Sequence, residues 1–566
     1  MNWNLRSVVF AGMLLAACKP SFTPADLIIS GGTIHTMKPG SPQVEAVVVS
    51  ADTIRFTGTA AEAMKYRGEN TLMIDLKGRT MTPGLIEGHG HIMGMGYNEL
   101  NIDLMGMKDF NAIVDKVREA VSKSKPGEWI VGRGWHQDKW DSKPERMVKG
   151  FPTHDAISAV SPDNPVVLEH ASGHNILANA AAMKVAGVSA LSREKLNLPV
   201  GAEIIRDELG NPTGLFNETA ADLVTEKIPP STVESDSKAL ELAMAACQRH
   251  GITSFQTAGE TQNIIDLFRT FRDDGKSGVR IYAMLSGSDA GLLARHFASG
   301  PQSDKWVSVR SIKLYGDGAL GSRGAWLLED YSDRAGHRGQ PNMVIDSVLT
   351  ISRKALKTGF QVNTHAIGDR ANREVLDRYE IAFRENPEAA KDARFRIEHA
   401  QHLHPDDIGR FGKLGVIPAM QAIHLSSDRP WAIDRLGKQR IEEGAYVWRK
   451  LLESGARIVN GSDVPVEPIN PIASFYASVT RKTLKGQPEG GYEPDQKMTR
   501  EEALRSYTLD AAYGAFEENQ KGSIRTGKLA DFTIFDRDII SVPEDQLLQT
   551  RVTMTILGGK VVYELR

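Results

Sequence analysis

Cysteine is almost missing from this chain. Its 566 residues carry only two, Cys18 and Cys247, too few for a disulfide framework or a thiolate zinc site. Excess charge is missing as well: the formal net charge is -3, and no block of Lys and Arg is long enough to follow a phosphate backbone. That excludes a nucleic-acid surface and leaves a small-molecule substrate as the expected partner. Neither a fixed-period repeat nor a low-complexity tract occurs. With 41% hydrophobic, 25% charged and 7% aromatic residues, the remainder is an ordinary globular composition that names no function. The length is ample for a large domain with accessory structure.

The first positive signal lies at the N-terminus. Arg6 forms a short basic region, residues 7–14 an apolar one, and Leu15-Ala16-Ala17-Cys18 ends it with small residues before a cysteine. This resembles a bacterial lipoprotein signal, with residues 1–18 as signal peptide and lipobox and Cys18 as the lipidated residue. The apolar run is well short of the roughly 20 residues that span a bilayer, which weighs against an uncleaved membrane anchor; an ordinary secretory signal is the other alternative. Lys19 follows the cysteine, a pattern that resembles outer-membrane sorting. The expected location is the bacterial cell envelope, membrane-attached through the lipid on Cys18 and facing the periplasm. Cys247, in the apolar stretch Leu242-Ala243-Met244-Ala245-Ala246-Cys247, reads as a small core residue.

Segments 27–34, 46–50, 53–58 and 72–74 are rich in β-forming residues, with Gly31-Gly32 and Pro39-Gly40 as turns. They are too few to close a core alone. The far end adds 531–535, 552–557 and 560–563, so residues 26–80 and 516–566 are expected to build one composite β-sandwich. Between them, in 81–515, eight short apolar runs each feed a loop: 81–87, 253–256, 280–284, 309–314, 361–365, 395–399, 416–421 and 457–463. Helical stretches at 264–274, 347–357, 370–386 and 445–453 lie among them, as a parallel sheet requires. From His91 to Gly251 about 160 residues intervene, several times one βα unit of roughly 30, so a subdomain is inserted at about 100–245. Its pieces Glu203-Ile204-Ile205-Arg206 and Gly214-Leu215-Phe216, bent at Gly210-Asn211-Pro212, read as a β-hairpin. The expected fold class is α/β: a (β/α)8 TIM-like barrel with a subdomain inserted above its catalytic face, plus the composite β-sandwich.

Five of the eight runs end in residues that bind metals well: His89-Gly90-His91, Lys313, His365, His399 and Asp463. A parallel barrel gathers its strand ends on one face, so their succession says more than any member. His89 and His91, two apart on a strand, project to the same side. Each residue also has a duller alternative. His-x-His could be two packed or solvated histidines. Lys313 could pair with Asp317 or Asp463, His365 and His399 could be core histidines bonded to carbonyls, and Asp463 could cap the turn at Ser462. Strand alternation directs Glu398 away from the lumen, and His402 and His404 read as loop-surface residues.

The run Thr82-Pro83-Gly84-Leu85-Ile86-Glu87-Gly88-His89-Gly90-His91 resembles the first-strand motif of the amidohydrolase superfamily, with Glu87-Gly88 in place of the usual Asp. Four further motifs resemble its amidohydrolase-3 branch, which includes N-substituted formamide deformylases. They are 311–323 around Lys313, Asn363-Thr364-His365-Ala366-Ile367-Gly368-Asp369-Arg370, Arg396-Ile397-Glu398-His399-Ala400-Gln401 and Gly461-Ser462-Asp463-Val464-Pro465-Val466. The resemblance covers about 27–563. It implies that His89, His91, Lys313, His365, His399 and Asp463 surround one or two divalent metal ions, with Lys313 carboxylated and bridging them. Nitrogen and oxygen ligands without sulfur suit zinc, with manganese, iron or cobalt as alternatives.

A bound divalent ion lowers the pKa of its water toward ~7 and polarises a carbonyl. Asp463 would then be the catalytic acid/base, carrying a proton from the water to the departing nitrogen. The expected reaction is hydrolysis of a non-peptide C–N bond of amide, N-acyl or N-formyl type. A lactonase or esterase on the same site and a catalytically silent envelope-binding lipoprotein are the alternatives. All six positions carry usable side chains, which favours the enzyme. Family motifs also fall on Trp135, His136, His174, Glu218, Arg323 and Trp326, read as substrate-binding. Arg323 could hold a carboxylate and Trp326 an apolar group; Trp135 could instead be core and Glu218 a surface charge. A homodimer is left open.

Overall fold

In a computed structural model of the protein, residues 23–137, 140–171, 173, 175–188 and 203–565 are described; Cys18 lies outside them. Eight parallel strands form the central barrel: Leu85–Gly90, Ile252–Glu260, Arg280–Ser286, Val307–Tyr315, Gln361–Ala366, Arg396–His399, Ile417–Met420 and Val459–Asn460. Each pairs in parallel with the next. Helices between them cover the outside, so most strands are buried on both faces and read as nearly continuous apolar runs. The ring closes beyond the eighth strand, where the Asp463 amide donates to the His89 carbonyl at 2.8 Å and the His91 amide to the Val464 carbonyl at 2.7 Å. Gly88 permits that approach: a Cβ there would lie 2.4 Å from the Asn460 carbonyl oxygen.

The first barrel strand begins at Leu85, not at residue 81. Thr80–Pro83 belongs to a different sheet, where it pairs with Phe532–Phe535 and Leu27–His35. Gly84 makes the crossing between the two sheets, packed against Thr253 so tightly that no Cβ fits. Strand propensity is similar on both sides of this glycine, so the sequence shows no break. The second sheet holds eight strands drawn from both chain ends, around Ile29, Val47, Val49, Phe532, Ile534 and Ile556. Gly31-Gly32 is a bulge inside the strand Leu27–His35 rather than a turn. Residues before it pair with Leu72–Asp75 and residues after it with Thr80–Pro83, so one strand serves two neighbours. A buried ion pair, Arg280 to Asp531 at 2.7 and 2.8 Å, ties this sheet to the third barrel strand.

After the helix Ile92–Leu100 the chain leaves the barrel. It builds a six-stranded sheet from Ile102–Asp103, Ile130–Trp135, Val166–His170, Asn175–Ala178, Glu203–Arg206 and Pro212–Asn217, of which the last two form the antiparallel hairpin. The helix Val233–Arg249, capped by Thr232, brings the chain back and buries Cys247 in the barrel's outer core. Among the described residues, no helix is long and apolar enough to cross a membrane.

Candidate metal centre

All six strand-end residues converge. Ligand atoms of His89, His91 and Asp463 lie within 4.8 Å of one another. Asp463 Oδ1 is 3.5 Å from His89 Nε2 and 3.3 Å from His91 Nε2, and Lys313 Nζ is 3.2 Å from His89 Nε2. The His399 ring centre lies 5.1 Å from that of His89 and 4.5 Å from that of His365.

Three of the imidazoles are held through Nδ1. His89 Nδ1 donates to the Glu398 carboxylate, His91 Nδ1 to the Ala258 carbonyl at 3.1 Å, and His399 Nδ1 to Gln421 Oε1 at 2.6 Å. These oxygens accept, so each ring carries its proton on Nδ1 and leaves the Nε2 lone pair to a ligand. Burial favours the neutral, ligating form. It pushes His89 down to about 4 and His365 to about 3, with the Lys313 charge adding to both, and takes His399 well below the usual imidazole range.

Glu398 faces the lumen rather than away from it, on the same side of the strand as Arg396 two residues before it. It is His399 that departs from alternation: it has a φ of 73° and Ala400 one of 41°, so the strand leaves the extended conformation at its tip and the His399 side chain turns inward beside that of Glu398. A left-handed φ at a non-glycine costs about 1–3 kcal/mol and recurs at functional sites; Asp463, with φ 60°, is held likewise. Beneath the histidines, Arg396 donates to both Glu398 oxygens at 2.7 and 2.8 Å, and to Gln256 and the Gly88 carbonyl. Burial by itself would raise the Glu398 carboxyl, but Arg396 and then His89 outweigh it and hold it at about 2. Glu398→Gln leaves Arg396 buried without its counter-charge. Unfolding stability should fall by about 3–5 kcal/mol and metal affinity by about 10–100-fold. Denaturant titration and chelator competition read the two effects, and an unchanged metal affinity would remove Glu398 from the support of the centre.

Lys313 does not pair with Asp317. Its Nζ meets His89 and, at 4.8 Å, the centre of the Tyr315 ring, and burial lowers the ammonium to about 8. Asp317 instead accepts from the amides of Trp326, Ile367 and Gly368 at 2.8–2.9 Å, pinning the loop after strand four to the end of strand five. Glu87 accepts from the Ser462 amide at 2.7 Å and its hydroxyl at 2.9 Å, which fixes the Asp463 turn to strand one. Asp463 Oδ1 and His365 Nε2 are buried with no hydrogen-bond partner among the described residues. Leaving such atoms unpaired costs about 1–3 kcal/mol each, and a divalent ion would satisfy them. The set of nitrogen and oxygen donors fits that ion.

The expected substrate residues scatter more widely. Trp135 is core of the inserted subdomain, its Nε1 donating to the Leu168 carbonyl at 2.8 Å. Arg323 grips Asp333 with two bonds, at 3.1 and 2.7 Å, and Arg435 shares that carboxylate, so its charge is engaged in locking the loop. Trp326 packs under Arg370, 4.5 Å from ring centre to guanidinium. The His136 ring lies 4.6 Å from that of His170, tilted by 49°. His174 and the side chain of Glu218 lie outside the described residues. His402 is buried rather than on the surface, against Tyr446, because its amide donates to the Ile367 carbonyl at 3.0 Å and draws the loop inward. His404 is partly exposed and caps the helix Pro405–Leu414. A cleft of about 690 Å³ lined by Met95, Lys116, His250 and Pro465 runs down the flank beside strand eight, not over the imidazoles.

Eight parallel strands that present histidines, a lysine and an aspartate at one end define a barrel of the metal-dependent hydrolase class. The chain belongs to the amidohydrolase family, which it matches over residues 72–563. It is 31% identical to the putative amidohydrolase YtcJ of Bacillus subtilis, across 94% of this chain and 98% of that one. It is 27% identical to N-substituted formamide deformylase of Arthrobacter pascens, across 95% and 98%. A solved metal-dependent hydrolase from Pyrococcus furiosus superposes with a TM-score of 0.73 at 26% identity, over 91% of this chain and 100% of that one.

Proposed function

We propose that the protein hydrolyses a non-peptide C–N bond in an N-acyl or N-formyl amide, with one or two divalent ions, zinc foremost, held by His89, His91, Lys313, His365, His399 and Asp463. The observation that carries this is the convergence of His89 and His91 Nε2 on Asp463 Oδ1, a buried oxygen with no hydrogen-bond partner among the described residues. When bound, such an ion acidifies a water and polarises a carbonyl. Asp463 takes the proton of the attacking water and returns it to the departing nitrogen. Glu398, Ala258 and Gln421 keep the imidazole protons on Nδ1 throughout. Lys313, as a free amine, adds to carbon dioxide and loses a proton to give a carbamate with two ligand oxygens. The relative that acts on N-substituted formamides supports starting with N-formyl compounds. Metal-loaded protein assayed on matched N-formyl amides, N-acetyl amides and esters tests the proposal. Amide turnover is expected. Turnover of esters alone would move the reading to a lactonase or esterase, and no turnover would leave a silent binding protein.

The same proposal includes an envelope address through a lipid on Cys18. Cys18→Ser should convert a detergent-extractable protein into a soluble or unprocessed one whose barrel still folds. Membrane fractionation with mass spectrometry of the N-terminus checks this, and a wild type found soluble in the periplasm without acylation would overturn it.

A further inference from the structure

His424 has no part in the scheme above, yet it stands beside the centre. It lies in the first turn of the helix Ala422–Gly444, directly after the seventh barrel strand, Ile417–Met420. That is the end of the barrel where the strand tips converge. Its ring is nearly parallel to His399, with 17° between planes and 6.0 Å between centres. Gln421, the N-cap of the same helix, is the residue that holds His399 Nδ1. One helical turn therefore fixes a ligand imidazole and carries a second imidazole alongside it. His424 is 7% exposed, and its Nε2 is shut from solvent with no hydrogen-bond partner among the described residues. His89, His91 and His399 are each tethered through the ring by an acceptor, whereas the Nε2 of His424, beside them, meets none among the described residues. Buried polar groups are otherwise nearly always paired.

We propose that His424 is a substrate-binding catalytic residue, whose Nε2–H donates a hydrogen bond to the carbonyl oxygen of the bound amide. The proposal rests on the hydrolase reading above. When water attacks, the carbonyl C=O π bond opens and its electron pair moves to that oxygen, while the water proton passes to Asp463. His424 keeps its own proton throughout and stabilises the new charge. A donor fixed in advance in a dry site is effective because nothing has to reorganise as the charge forms, and losing one such donor typically costs about 10²–10³-fold in kcat. The group recognised is an oxygen of a carbonyl, carboxylate or tetrahedral oxyanion.

The test compares metal-loaded wild type, His424→Phe and His424→Gln. Phenylphosphonate serves as the probe, since its tetrahedral anionic oxygens imitate the attacked carbonyl. Calorimetric titration should show its Kd raised by about 10²-fold in the Phe variant, in line with the loss of one oxyanion donor, and partly restored in the Gln variant, whose amide N–H can donate. Elemental analysis should find the metal content unchanged in both, and thermal unfolding should show both folded. On any amide the wild type hydrolyses, kcat of the Phe variant should fall by about 10²–10³-fold with little change in KM. Equal phosphonate affinity in wild type and the Phe variant, metal loss from the variants, or no phosphonate binding by wild type would each overturn the assignment. His424-dependent phosphonate binding by a wild type that hydrolyses no amide would uphold the assignment and refute the reaction.

Discussion

Replacing His89 with alanine is expected to abolish hydrolysis and to cost the protein at least one metal ion. His89 is a buried hub of the constellation, with Nε2 3.2 Å from Lys313 Nζ and 3.5 Å from Asp463 Oδ1. Its loss also removes the link between the centre and the buried Glu398. The fold should survive, because Glu398 keeps its two bonds from Arg396 and no buried charge is left unpaired. Chelation of the wild type should have the same effect on activity and be reversed by added divalent metal. Elemental analysis beside kcat on the same samples reads both consequences. A fully active, metal-free wild type, or an alanine variant that turns over at the wild-type rate, would end the mechanism proposed here.

Asp463→Asn separates proton transfer from metal binding. The amide keeps the shape of the side chain and one oxygen, but it cannot accept a proton from water at neutral pH. Positioned acid/base groups contribute about 10²–10⁴-fold in rate, so kcat should fall within that range while the variant keeps its fold and most of its metal. The loss should be smallest for activated esters, whose leaving group departs without protonation, so the ratio of ester to amide rates should rise. If the Asn variant cleaves amides at nearly the wild-type rate, Asp463 is a structural residue and the base lies elsewhere. The left-handed backbone at Asp463, φ 60°, favours Asn as the test, since Asn and Asp share tolerance of that conformation.

The barrel and the gathering of its strand-end residues are legible in the sequence for a local reason. Strand direction, with the two-residue side-chain period for His89 and His91, places His89, His91, Lys313, His365, His399 and Asp463 at or just past the same end of five of the eight strands, whatever the rest of the chain does. Glu398 shows where that logic stops. Nothing in Arg396-Ile397-Glu398-His399-Ala400 announces that the backbone turns left-handed at His399, so alternation counted back from an inward His399 points the carboxylate the wrong way. Arg323 looked free to hold a substrate because Asp333 and Arg435 are brought to it only by the folded loops. His424 escaped notice because a single histidine just inside a helix reads as core; a usable signal is Gln421 three residues earlier, at the tip of the seventh strand.

The α/β barrel, the contribution of both chain ends to a second sheet, the inserted subdomain and the strand-end residues that come together can all be read from the order of residues alone. All of these follow from patterns within a few residues and from the chain's order. Which nitrogen of an imidazole faces inward, which carboxylate supports which histidine, and which charges are already engaged become visible only in the folded chain. Those properties depend on acceptors far away in the chain, such as Glu398, 309 positions from the His89 it orients. A hydrogen bond responds to distance and angle, and neither exists until the strands have closed into a ring.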